Sequence, residues 1–304
     1  MRRSRRRGRP PANPVVTQAL QVTSLDTDLV AALGSGSVIA VHRRTCTLKT
    51  DAGELITLVA PELGNGPNAA LVEPRPWAAG TRFTPIGMAG LSFAHGPALD
   101  WSAARRWSIT DSAPMSPPSI DNVDTLLAAL KQTSITTGLL PVLLELPPTS
   151  SIQRALSQQA APLLVALPDP LAAQRLIGLG PGATPSGDDL LAGLLLTLHY
   201  ANHPMTALRE IAQNAPTTEL GRALLGWAAV GRAREDVLLL LRDLFSLPGS
   251  AALARLESVL HYGASSGADL VAGIAIGLRI VANVEHQVEK YPGRDKSRPY
   301  GFQP

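Results

Sequence analysis

The chain of 304 residues contains one cysteine, Cys46, so no disulfide framework organises it. It is also poor in charge. Only 17% of its residues are charged, against a usual share of about 25%, and with 45% hydrophobic residues it is too apolar to remain disordered. Long hydrophobic runs are missing too: LLAGLLLTL at 190–198 and LVAGIAIGL at 270–278 are about half the length that a membrane span needs, and Arg279 closes the second. Nor does an apolar run of about 7–15 residues follow the N-terminal arginines, where the chain reads PPANPVVTQALQ, so no secretory signal is expected. These absences point to a soluble, cytoplasmic protein with no membrane partner.

What is present divides unevenly. The net charge is +3, but Arg2, Arg3, Arg5, Arg6, Arg7 and Arg9 supply six of the 27 basic residues; without them 21 basic residues face 24 acids, a net −3. Basicity therefore describes a short arm, and a nucleic-acid partner could rest on that arm alone. At roughly 100–200 residues per domain the length suggests two domains. Between Ser37 and about Ser108 short β-like runs alternate with turn residues: SVIAVH, TCTLKT, ELITLVA, NAALVEP and RFTPIGMAGLSF. Asp51-Ala52-Gly53 reads as a three-residue hairpin loop. The preceding segment, 17–36, has helical spacing up to Gly34. After the Pro/Ser cluster at 111–119 the period becomes helical, with helices expected at 120–132, 151–166, 170–177, 187–201, 205–214, 217–232, 234–246, 250–261 and 266–284. The expected fold is α+β: a basic arm (1–14), a mostly antiparallel β domain (15–115), an all-α domain (116–290) and a tail (291–304).

The densest unusual segment is 178–189, GLGPGATPSGDD, which feeds the apolar helix that follows. Four glycines and two prolines in ten residues set a loop shape and expose its backbone. At a helix N-terminus such a loop suits a phosphate or a carboxylate. It is neither a dinucleotide fingerprint, since LAAQRLIG before it is helical in pattern, nor a Walker loop, since no lysine follows the last glycine. Eighty residues later Ser186-Gly-Asp-Asp-Leu-Leu-Ala-Gly193 is echoed by Ser266-Gly-Ala-Asp-Leu-Val-Ala-Gly273, identical at six of eight positions. Two helix starts that pack side by side or converge on one ligand would explain the echo. So would a pair of capping boxes, with Ser186 and Ser266 as caps and Asp189 and Asp269 reaching back. Capping leaves Asp188 over. That carboxylate could complement the helix dipole, orient a substrate amide or hold a divalent metal, although no cofactor is predicted.

At these residues the sequence resembles the AllH-type family, associated with the oxamate carbamoyltransferase of allantoin breakdown. GLGPGATPSGDDLLAGLLL at 178–196 carries the resemblance, supported by LGNGPNAALV at 63–72 and SSGADLVAGIAIGL at 265–278. It spans about residues 30–285. The resemblance implies a subunit that works with partner proteins to move a carbamoyl group between an oxamate-type nitrogen and phosphate, yielding carbamoyl phosphate from oxalurate during purine degradation. The partners are then a small anionic substrate or phosphate and the other subunits of the complex.

The candidate catalytic residues are Thr184, Ser186, Asp188 and Asp189, and the candidate substrate-binding residues are Gly180, Gly182, Gly187, Asn65, Asn68, Ser266 and Asp269, at the expected interface of the two domains. Asn65 and Asn68 read equally as turn residues. Arg222, Arg232 and Arg234 could each meet an anion or lie on a solvated face. Cys46, alone in a β run, reads as a buried thiol, and His199 and His203 sit too near a helix end for a metal site. Two other classes of function stay open: a noncatalytic scaffold that binds a small anion, and a nucleic-acid-associated protein led by the arginine arm.

Overall fold

The computed structural model describes residues 19–73, 77–108 and 120–290. They form two compact units, one comprising the chain up to Leu63 with Asn68–Trp107, the other Gly64–Pro67 with the chain from Ser108 onward. The arginine arm, the 111–119 linker and the 291–304 tail lie outside the described residues.

The first unit is a ten-stranded sheet. Its strands are β1 (Leu20–Gln21), β2 (Ser24–Asp26), β3 (Gly36–Val41), β4 (Thr45–Thr50), β5 (Leu55–Val59), β6 (Ala69–Leu71), β7 (Arg82–Ile86), β8 (Gly90–Phe93), β9 (Leu99–Asp100) and β10 (Arg105–Trp107). In space they run β1-β9-β8-β7-β3-β4-β5-β6-β2-β10. The sheet is mixed: six of its nine pairings are antiparallel, as expected of a mostly antiparallel domain, while β1/β9, β2/β10 and β5/β6 pair in parallel. β1 and β2 sit at opposite ends of the strand order yet are joined by Val22 and Thr23 alone. Val22 N–H donates to Asp100 O (2.9 Å) and Thr23 N–H to Leu71 O (2.9 Å), which curls the sheet on itself. Curling encloses Leu25, Val38, Leu48, Ile56, Leu58, Phe83, Leu91 and Trp101. Cys46 is buried in β4, and burial pushes its thiol up to about 11.

The helical expectation for 17–36 is overturned. Its Leu25 and Leu29 are buried in the sheet core, and only Thr27–Val30 winds into a short 3-10 turn, capped by Asp26. Pairing with β6, β9 and β10 outweighs local helical spacing there. The three-residue hairpin loop after β4 forms as expected: Thr50 N–H donates to Glu54 O (2.9 Å), and Gly53 takes a φ of +95°.

The second unit is helical among its described residues: α1 (Ile120–Leu130), α2 (Leu140–Leu143), α3 (Ser151–Ala166), α4 (Pro170–Leu176), α5 (Ser186–Tyr200), α6 (Thr206–Gln213), α7 (Glu219–Ala229), α8 (Glu235–Ser246), α9 (Leu256–Leu260) and α10 (Ser266–Lys290). Its axis is the pair α5 and α10. Helix α5 is apolar all round and almost wholly buried, as such a helix must be. Residues 266–283 of α10 are long and apolar enough to cross a membrane by length and composition, but 78% of that stretch is buried within the unit.

The two helices touch backbone to backbone. A Cβ at Gly193 would stand 2.0 Å from Leu270 O, one at Gly273 would stand 1.8 Å from Leu190 O, and Gly277 faces Thr197. Leu190 and Gly193 cross with Gly273 and Leu270, and one turn further along both helices Thr197 meets Gly277, so the pair is parallel and both N-termini lie at one end. The Gly193–Leu270 contact is mirrored by Gly273–Leu190, so the echoed segments are related by a local two-fold at the crossing.

Candidate functional site

The loop before α5 is shaped by its glycines. Gly178, Gly180 and Gly182 have φ of +72°, +107° and +112°, where a side chain is strained. Gly187 serves packing instead: a Cβ there would stand 1.9 Å from Leu176 O, so only glycine lets the first turn of α5 close on the end of α4. Residues 181–183 are exposed, Thr184 is half-buried, and Pro185 through Asp189 are buried.

Neither capping box forms as sequence spacing suggests. Pro185 occupies the N-cap of α5, its carbonyl taking the Asp188 and Asp189 N–H groups at 2.9 and 3.1 Å, and Ser186 is the first helical residue. In α10 it is the Ser265 carbonyl that accepts the Asp269 N–H (2.9 Å). The Ser186, Ser266, Asp189 and Asp269 side chains are thereby released to face one another.

Asp188, the acid left over by capping, is consumed by the scaffold. Its Oδ1 accepts the Gly178 N–H at 2.8 Å, its Oδ2 accepts the Thr217 hydroxyl, and it is fully buried. Gly221 leaves room for it, since a Cβ there would stand 2.2 Å from Oδ2. Burial raises its pKa, and the Gly178 and Thr217 donors pull it back. Nearby, the Thr218 hydroxyl donates to Ala183 O at 2.5 Å. Asp188 and Thr218 thus staple both ends of the loop to the segment that precedes α7, with one hydrogen bond on each carboxylate oxygen of Asp188.

The echoed acids meet instead. Asp189 is 3% exposed and Asp269 fully buried, close enough for each charge to act on the other. Thr184 Oγ1 donates to Asp189 Oδ2 (3.2 Å) and lies 3.1 Å from Ser266 Oγ. The Ser266 hydroxyl of α10 faces Asp189 of α5, and the Ser186 hydroxyl of α5 faces Asp269 of α10, so the two-fold of the backbone extends to the side chains. Asp269 Oδ1 accepts the Leu139 N–H at 2.5 Å, while its Oδ2, beside the Ser186 and Ser265 hydroxyls, has no partner within hydrogen-bond geometry. Burial pushes Asp189 up to about 8, with the neighbouring acids adding to the rise and the Ser266 and Thr184 hydroxyls opposing it. Burial also raises Asp269, to about 6, against the Leu139 N–H and the two serines. The floor of the site is therefore Asp189, Asp269 and Ser186, and its rim is the half-buried Thr184, Ser265 and Ser266.

Sequence reasoning missed Gly138 and Leu139. Gly138 (φ +78°) packs against the Asp269 carboxyl, where a Cβ would stand 2.3 Å from Oδ1, and its carbonyl takes the Gln153 side-chain amide at 2.8 Å. The signal was Pro141 at the start of α2, which marks a helix N-terminus after Gly138-Leu139.

The two asparagines part company. Asn65 joins the second unit, donating through Nδ2 to Glu235 Oε2 (2.6 Å) and accepting the Glu235 N–H (2.9 Å) at the start of α8. Asn68, at φ +49°, belongs to the sheet unit, where its N–H donates to Asp26 Oδ2 (2.6 Å) and its Nδ2 to Leu55 O (3.2 Å). Among the described residues neither is hydrogen-bonded to the 178–189 loop.

Of the weighed arginines, Arg222 donates to Ala215 O and Thr217 O, a structural role. Arg234 is half-buried, paired with Asp236 at 2.6 Å and stacked 3.9 Å from the ring centre of Tyr262, three residues before Ser265. Gly66 lies against its side chain, so the 63–72 motif reaches the start of α10 through Arg234.

No solved structure matches the chain. Residues 18–99 match the AllH family N-terminal domain, and residues 176–278 match the family described as oxamate carbamoyltransferase subunit AllH. The second match contains the 178–189 loop, the Asp189–Asp269 pair and the whole crossing of α5 with α10. On both matches together, the chain belongs to the AllH family.

Proposed function

We propose that this chain is a subunit of a carbamoyltransferase acting on oxalurate and phosphate, or oxamate and carbamoyl phosphate in reverse, and that the recess between the N-termini of α5 and α10 holds the small anion. The observation that carries the reading is the convergence of two helix N-termini and three hydroxyl-bearing rim residues on one buried point. Helix N-termini favour anions. The exposed backbone of the glycine loop, with Thr184 and Ser266, adds donors that are already oriented.

Two buried carboxylates beside an anion would repel it if both were charged. With its pKa at about 8, Asp189 carries a proton at neutral pH and acts as a donor. In the forward direction a phosphate oxygen attacks the carbamoyl carbon, the carbon–nitrogen bond to oxamate breaks, and the leaving nitrogen takes up one proton. Asp189 supplies that proton and regains one from the attacking hydrogen phosphate, so atoms and charge balance. General acid assistance of this kind contributes about 10²–10⁴-fold.

The test is carbamoyl phosphate formation from oxalurate and phosphate, with the purified full chain alone and with its partner subunits. Turnover is expected with the partners, falling at least about 100-fold in Asp189→Asn while circular dichroism is unchanged. Calorimetric phosphate binding without turnover, even with partners, would make the chain a noncatalytic anion-binding subunit. Wild-type turnover in both Asp189→Asn and Ser266→Ala would place the chemistry elsewhere.

A further inference from the structure

The charge balance at the floor of the site is incomplete. When both are ionised, the two carboxylates bring two negative charges into a buried space, and two helix N-termini return about half a charge each, leaving roughly one uncompensated. Among the described residues, those that face the pair offer hydroxyls and two backbone N–H groups: Thr184, Ser186, Ser265, Ser266, Leu139 and Leu140. None is a cation. A second and separate observation is that Asp269 Oδ2 is buried without a hydrogen-bond partner, although its sister Oδ1 is fully engaged by Leu139. A buried carboxylate oxygen left bare is costly unless something else occupies its lone pairs.

We propose that Asp189 and Asp269 bind one divalent cation between the N-termini of α5 and α10. The donors are all oxygens: two carboxylates from the two-fold-related helices, with the Thr184 and Ser266 hydroxyls at the open side. Such a set, without sulfur or imidazole, selects a hard cation of the Mg²⁺, Mn²⁺ or Ca²⁺ class over Zn²⁺ or copper. So few protein ligands leave coordination positions for water or for the oxygens of a phosphate, as is usual for Mg²⁺. Asp188 is left out of the ligand set, because Gly178 and Thr217 already hold its two oxygens toward the loop. The two-fold also explains why the repeat keeps Ser, Gly and Asp but replaces Asp188 by Ala268: the shared acid is the ligand, and the unshared one anchors a loop that only the first copy has.

A cation bound here displaces the proton that Asp189 otherwise holds, so a filled site makes Asp189 a ligand and not the proton donor of the carbamoyl reading; the readout of the cation site is binding, which succeeds or fails separately from turnover. Mn²⁺ is titrated into the metal-stripped full chain and followed by electron paramagnetic resonance, with Mg²⁺ as competitor and thermal unfolding measured alongside. The expected result is one Mn²⁺ per chain, displaced by Mg²⁺, and a melting temperature that rises with metal. Asp269→Asn and Asp189→Asn should each weaken Mn²⁺ binding at least about 100-fold, on the scale of losing a ligand. Both variants should melt no lower than the wild type in EDTA, since each removes a buried like-charge contact. That arm separates a lost ligand from a lost fold. Wild-type binding no tighter than that of the two variants, or a melting temperature indifferent to both metals, would overturn the proposal and leave protons as the neutralising charge.

Discussion

Replacing Asp189 by Asn should change how stability depends on pH, with a sign set by the burial of the carboxyl. In the unfolded chain Asp189 titrates near 3.8, and in the folded chain near 8. Below pH 3.8 both states hold the proton and the group contributes nothing to the difference. Between the two values the unfolded chain releases its proton while the folded chain keeps it, so stability falls as pH rises; above about 8 the slope vanishes. At about 1.4 kcal/mol for each tenfold difference in proton affinity the ceiling on this loss is about 6 kcal/mol. Water entry and local relaxation on ionisation reduce it to about 2–4 kcal/mol. Asp269 adds a smaller loss of the same sign between pH 3.8 and about 6. The assay is urea unfolding followed by circular dichroism at pH 5 and pH 8, in EDTA so that no cation masks the pair. The wild type should lose stability between the two, and Asp189→Asn should lose markedly less, ending more stable than the wild type at pH 8. Parallel pH profiles for the two proteins would refute the reasoning.

Two further predictions concern the frame around the site. Gly273→Ala places a methyl group 1.8 Å from the Leu190 carbonyl, so the α5 and α10 backbones must separate at a cost of at least about 1–3 kcal/mol, whereas Gly226→Ala in α7, with nothing nearby, should be neutral or stabilising by up to about 1 kcal/mol; thermal unfolding of both variants checks the contrast. Asp188→Ala strands the Gly178 N–H and the Thr217 hydroxyl at about 1–3 kcal/mol, and hydrogen exchange should quicken at the start of the 178–185 loop, an effect that Asp189→Asn should not produce.

The helical half was legible because its pattern is local. Period, Gly and Pro punctuation and chain length placed nearly every helix from 120 onward, and the short α2 escaped only because four residues carry no period. The sheet was legible in its hairpins, where β4 meets β5 after a three-residue loop, and illegible at Leu20–Asp26, where parallel partners some eighty residues away, β9 and β10, decide the conformation. For the site, the segment was readable and the roles were not. Composition marked 178–189 and the echo at 266–273 and made Asp189 and Asp269 candidates, but spacing alone could not choose between capping and a shared site for them, and left Asp188 as the acid that capping does not need. The fold makes the choice: Pro185 and Ser265 begin the helices, Asp188 is tied to Gly178 and Thr217, and the echoed acids face each other.

By itself, then, the sequence determined where the chain bends, which helix must be buried, and that a glycine-rich loop opens it, since each of these follows from backbone freedom and apolar periodicity within a few residues. Only the tertiary structure decided that two helix starts eighty residues apart lie side by side. That outcome depends on Gly193 and Gly273 letting two backbones touch, and sequence distance carries no information about such a contact.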